Sequence, residues 1–150
     1  MRIGITEAGD ACFHKWDALS VVDGAILISK NIKKLWENLN PELYSKVILH
    51  ATITGMGGSM WEPGAPLVGE SVDFFNSLEF PEEQLVLRVD PIMPTDEGVA
   101  MAIEVMKAAR TDCRIRISFM DAYDHIKARI PEWKWGWEGL PVANKFLSKP

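Results

Sequence analysis

At 150 residues, with 47% hydrophobic and 25% charged residues, the chain fits one globular domain that buries a core without disulfides or a structural metal. Its net charge of −5 excludes a general nucleic-acid binder that works through a basic face. Two cysteines, Cys12 and Cys113, are too few for a zinc site of three or four thiolates, or for a cubane iron–sulfur cluster held by this chain alone.

The amino terminus, Met1-Arg2-Ile3-Gly4-Ile5-Thr6, passes straight into a strand pattern over Arg2–Thr6, so no signal peptide is expected. A second strand is predicted over Gly24–Ser29. A helix follows over Asn31–Leu39, where Ile32, Leu35, Trp36 and Leu39 share a face. The apolar run Lys46–Thr54 predicts the third strand, and Gly69–Leu78 the next helix, through Val72, Phe75 and Leu78. Gln84–Asp90 reads as the fourth strand. Asp96–Arg110 is the clearest helix, with Thr95 as its N-cap. Arg114–Met120 completes the strands, and 121–130 predicts a last helix with Ile126 and Ile130 on its apolar side. Residues 131–150, rich in Trp (Trp133, Trp135, Trp137) and Pro, read as a tail packed on the body or on a partner. No window approaches the ~20 apolar residues that span a bilayer. With sparse cysteine, a soluble protein of the reducing cytoplasm is expected, with no membrane contact.

Strands alternating with helices imply crossover units and a parallel sheet. Side chains alternate along a strand, so each strand has two faces. Val47, Leu49, Ala51 and Ile53 oppose Ile48, His50, Thr52 and Thr54. Leu85, Leu87 and Val89 oppose Val86, Arg88 and Asp90, and Ile115, Ile117 and Phe119 oppose Arg114, Arg116, Ser118 and Met120. A doubly wound sheet would bury both faces under helices, at a cost of several kcal/mol for an unpaired charge. A curved sheet round a lumen leaves the polar face usable, so the expected fold is a partial (β/α) barrel of about five parallel strands over residues 1–130, helices outside.

Function in parallel α/β folds sits at the carboxyl ends of the strands. Those ends collect Glu7 and Asp10, Lys30 and Asn31, Thr52 and Thr54, Arg88 and Asp90, and Ser118. The segment Thr52–Pro66 adds Gly55, Gly57, Gly58 and Glu62. Its glycines either bring backbone amides to a ligand or only satisfy turn geometry, and it matches neither GxGxxG nor the P-loop. Arg88 suits a carboxylate or phosphate and Asp90 a ribose hydroxyl or amine, although a structural ion pair explains both equally well. Lys30 either holds an anion or is a solvated strand-end lysine. His50 reads as a mid-strand residue bonded to a neighbour. Cys12 and Cys113 fall at opposite ends of their strands and read as small buried residues.

Four segments together, Asp23–Asn31 (DGAILISKN), His50–Pro66 (HATITGMGGSMWEPGAP), Val86–Thr95 (VLRVDPIMPT) and Arg114–Arg129 (RIRISFMDAYDHIKAR), resemble radical S-adenosylmethionine-like proteins related to spore photoproduct lyase, found in bacteria and phages. The resemblance spans roughly residues 1–130. It implies a partial barrel that binds S-adenosylmethionine and a four-iron cluster, with Thr52, Thr54, Gly55, Glu62, Arg88 and Asp90 at lumen-facing motif positions. Members with this arrangement look like longer chains that carry a cysteine cluster after the matched region. The expectation is therefore either a radical-type domain that needs a cluster-bearing partner chain, or a cluster-free protein that binds a nucleotide-like small molecule. The Trp-rich tail leaves a homo-oligomer as a further alternative.

Overall fold

The computed structural model of the chain describes residues 4–6 and 9–121. The predicted last helix beyond Asp121, the tail over 131–150 and Glu7 lie outside the described residues. Within them the order is β1 (Gly4–Thr6), β2 (Gly24–Ser29), α1 (Ile32–Asn38), β3 (Val47–Thr52), α2 (Val68–Ser77), β4 (Leu85–Ile92), α3 (Asp96–Ala108) and β5 (Arg114–Phe119). Short 3-10 turns fill several of the connections.

The sheet rests on four strands of six to eight residues, whereas β1 adds only three at the edge. Of the strand predicted over Arg2–Thr6, the described residues Gly4–Thr6 pair with β2, and Arg2 and Ile3 lie outside the described residues. All pairings are parallel, and the strands follow in sequence order from β1 to β5. This order lacks the reversal of a doubly wound sheet, and right-handed crossovers then carry successive helices to one side. The packing agrees. Ile32 and Leu35 of α1, Val72 and Phe75 of α2, and Ala102 and Val105 of α3 form one cluster with Val47, Leu49, Ala51, Leu85, Leu87 and Val89.

Capping fixes where the helices begin. Asn31 Oδ1 accepts from the Lys34 amide at 3.0 Å at the start of α1, and Thr95 Oγ1 accepts from the Gly98 amide at 3.0 Å at the start of α3. Each bond satisfies an amide that has no partner within the helix. Among the described residues no helix is long and apolar enough to cross a membrane.

The second face of the sheet is mixed, with its apolar and polar residues at different ends. Ile26 and Ile28 of β2 stand in register with Ile48 and His50 of β3, and His50 with Val86 of β4. The amino-terminal half of this face is therefore largely apolar. Polar groups gather toward the carboxyl end, where His50, Thr52 and Thr54 are buried and Arg88 and Asp90 are half-buried.

Candidate functional site

Strand alternation builds the first part of the site. Ser29, the last residue of β2, turns into the core, so Lys30 projects to the opposite face. There Lys30 Nζ meets Glu62 Oε1 at 2.5 Å, and Thr54 Oγ1 donates to Glu62 Oε2 at 2.8 Å. The Thr54 hydroxyl oxygen also accepts from the Met56 amide at 3.1 Å, which fixes its direction. The Glu62 side chain is 11% exposed and that of Lys30 39%, so the carboxylate is largely withdrawn from water while its cation reaches outward.

Glu62 arrives here because the loop after β3 doubles back. A bridge pairs Gly57 with Glu62, and the Gly58 amide donates to the Glu62 carbonyl at 3.1 Å. A Cβ on Gly57 would lie 2.2 Å from the Pro66 carbonyl oxygen, so only glycine permits this approach. Gly55 holds φ +88° with its Cα against Met101. Gly58 also has positive φ and packs on Leu67. The glycines permit this turn geometry and close packing, and the loop they shape brings in the Glu62 carboxylate.

The second part is carried by β4 and β5. Arg88 Nε donates to Asp90 Oδ2 at 2.7 Å, Arg88 Nη2 pairs with the same oxygen, and Ser118 Oγ donates to Asp90 Oδ1 at 2.9 Å. The two charged side chains are 17% and 16% exposed. Thr52 stands in register with Arg88 on the same face. Thr52, Thr54, Glu62, Lys30, Arg88, Asp90 and Ser118 therefore lie at the carboxyl ends of β2 to β5 or in the loop beside them. Arg116, in register with Arg88, belongs to this face too, although its mid-strand position kept it out of the sequence-derived set.

Asp10 and Asn31 have local duties. Asn31 caps α1. Asp10 caps the turn Ala11–Phe13, accepting from the Cys12 amide at 3.0 Å, and its other oxygen accepts from the Lys30 amide at 3.0 Å. Burial alone would raise its pKa, but hydrogen bonds from the Ser29 hydroxyl and these two amides prevail and hold it below the usual carboxylate value. A lowered folded-state pKa gives stability that is present above the unfolded value of about 3.9 and is lost as pH falls through the folded value. Urea midpoints measured from pH 6 down to pH 2 should therefore fall more steeply for the native protein than for Asp10→Asn. At pH 6, Asp10→Ala should cost about 1 kcal/mol.

The thiols do not assemble. Cys12 follows β1 and Cys113 precedes β5, so they stand at opposite ends of a parallel sheet. Both are free, and burial raises both pKa values. Among the described residues no group of three or more His, Cys, Asp or Glu is placed to hold a metal ion. The donor set of this chain does not fit a four-iron cluster.

Comparison with known protein families, with curated proteins and with solved structures gives no match to this chain.

Proposed function

We propose that the carboxyl ends of β2 to β5 bind a small zwitterionic nucleoside, with S-adenosylmethionine as the ligand, within a partial (β/α) barrel. The observation that supports this most is Glu62, a largely buried carboxylate bonded at once to Lys30 from β2 and Thr54 from β3. A pair of opposite charges at a strand mouth suits a ligand that carries the same two charges in the reverse order. Glu62 takes the α-ammonium group, and Lys30, the more exposed partner, turns to the α-carboxylate. Asp90 accepts a ribose hydroxyl, and Arg88 and Ser118 hold its carboxylate in place. S-adenosylmethionine supplies, when bound, a sulfonium centre whose carbon–sulfur bonds are activated. What this chain contributes is binding and orientation.

Radical chemistry on such a ligand needs an iron–sulfur cluster from a partner chain, because the donors here do not fit one. The separation of Cys12 from Cys113 favours a second reading, a cluster-free protein that sequesters the ligand. Anaerobic reconstitution with iron and sulfide distinguishes the two: a chain or purified complex that gains no cluster absorbance is a binding protein.

Calorimetry with S-adenosylmethionine tests the shared premise. Glu62→Gln keeps the side-chain shape and removes the charge, so affinity should fall by about tenfold or more, the worth of one charge-assisted hydrogen bond. Equal affinity in the native protein and Glu62→Gln would remove Glu62 from the site.

A further inference from the structure

A cavity of about 190 Å³ lies between the starts of α1 and α2. Ile32 and Lys33 wall it from α1, Ser71 and Phe74 wall it from α2, and Pro66 of the preceding loop stands beside them. Ser71 is 7% exposed, yet its hydroxyl makes no hydrogen bond with any described residue. Serines in helices often donate back to a carbonyl of the preceding turn, as Ser77 does to Phe74 at 2.8 Å. A buried hydroxyl without such a bond is costly unless another group supplies one. Helix side chains lean toward the amino terminus, so Ser71 tilts toward the first turn of α2. That turn is open. Leu67 provides no side-chain cap, and the Val68, Gly69 and Glu70 amides donate to no described residue. Two opposite charges complete the walls. Lys33 and Glu70 line the cavity from different helices, and neither forms an ion pair with a described residue. Asn31 adds a donor, because its Oδ1 is occupied by the Lys34 amide while its Nδ2 makes no bond to a described residue.

We infer that this cavity binds a free α-amino acid with a short apolar side chain. Ser71 Oγ, Asn31 Nδ2 and the open first turn of α2 suit its carboxylate, and Lys33 adds positive charge from the opposite wall. Glu70 in the same turn disfavours a bare anion and takes the α-ammonium group instead. Ile32, Pro66 and Phe74 cover the apolar side chain. An engineered cavity of roughly 150 Å³ in another protein holds benzene, so this volume admits a molecule the size of valine and not a nucleotide. None of Lys30, Glu62, Arg88 and Asp90 lines the cavity, so the inference does not depend on the proposed function.

Calorimetric titration of the full chain with L-valine, isovalerate and isobutylamine tests this on the native protein, Ser71→Ala and Glu70→Gln. Valine should bind the native chain more tightly than either analogue, because each analogue lacks one of the two charges. Ser71→Ala should weaken valine binding by about tenfold, the loss of one hydrogen bond to a charged group. Without ligand, Ser71→Ala should be at least as stable as the native protein, since it removes an unpartnered buried hydroxyl and adds a better helix former. Glu70→Gln should weaken valine binding and leave isovalerate binding at least as strong. Three results would each overturn the assignment: no saturable valine binding by the native chain, an analogue that binds as tightly as valine, or equal valine affinity in Ser71→Ala. If Ser71→Ala does not fold, Glu70→Gln decides in its place, and equal valine affinity there overturns the assignment. Amide shifts on adding valine should centre on Lys33, Glu70 and Ser71. Shifts centred on Glu62 and Arg88 would put the amino acid at the strand ends and remove this site.

Discussion

Arg88→Ala is expected to lose measurable S-adenosylmethionine binding and to be less stable by about 1–3 kcal/mol. The cause is Asp90. Its carboxylate is only 16% exposed and takes two contacts from the one guanidinium. Truncating Arg88 leaves that charge half-buried with Ser118 as its remaining donor among the bonds described above. Asp90 then either turns toward water or protonates, and both changes spoil it as a fixed acceptor. Because Arg88 acts through Asp90, Arg88→Ala combined with Asp90→Ala should recover part of the lost stability and none of the binding. Arg88→Lys should restore part of both. Urea denaturation and calorimetry on the same samples check these outcomes. A double variant less stable than the sum of the singles would contradict this role for Arg88.

Leu87→Ala should behave in the opposite way. Leu87 is the neighbour of Arg88 along β4, but alternation turns it to the helix-covered face, where it is fully buried among Leu49, Val89 and Phe75 in the main core. Removing its side chain should cost about 2–5 kcal/mol through lost burial and the cavity left behind. Affinity for S-adenosylmethionine, measured where the variant is still folded, should be unchanged. Adjacent residues on one strand thereby separate stability from binding. A Leu87→Ala protein that folds normally and binds poorly would show that the two faces are not divided as described.

The elements most legible in the sequence are those whose own residues decide them. The run GAILIS gives β2 its bounds, and Thr95 starts α3 because its hydroxyl caps the Gly98 amide. The division of β3 and β4 into two faces follows from alternation alone, and the buried cluster agrees with it. The site was less legible where a side chain's partner is distant or close by in an unexpected way. Asp10 and Asn31 look like strand-end ligands in the sequence, and the structure adds what the sequence does not give, that Asp10 accepts from the Cys12 and Lys30 amides and Asn31 from the Lys34 amide. The pairing of Glu62 with Lys30 joins residues far apart in sequence and depends on a loop path set by the closeness of Gly57 to Pro66. Alternation puts Arg116 on the polar face but gives no reason to count it with the site, because strand register is a tertiary property. Its place beside Arg88 follows only once β4 and β5 are aligned. Two apolar residues, Ile115 and Ile117, show the same limit: the sequence puts them in the core, yet about half of each is exposed on the edge strand.

Amide chemical-shift mapping during titration of the full chain with S-adenosylmethionine examines the proposed strand-end site most directly. Perturbations should concentrate at Lys30, Thr52 to Gly58, Glu62 and Arg88 to Asp90, and should leave Glu82, Asp112 and Arg114 at the opposite end of the sheet unmoved. Shifts centred on that opposite end, or no saturable shifts at any ligand concentration, would contradict a binding site built from Lys30, Glu62, Arg88 and Asp90.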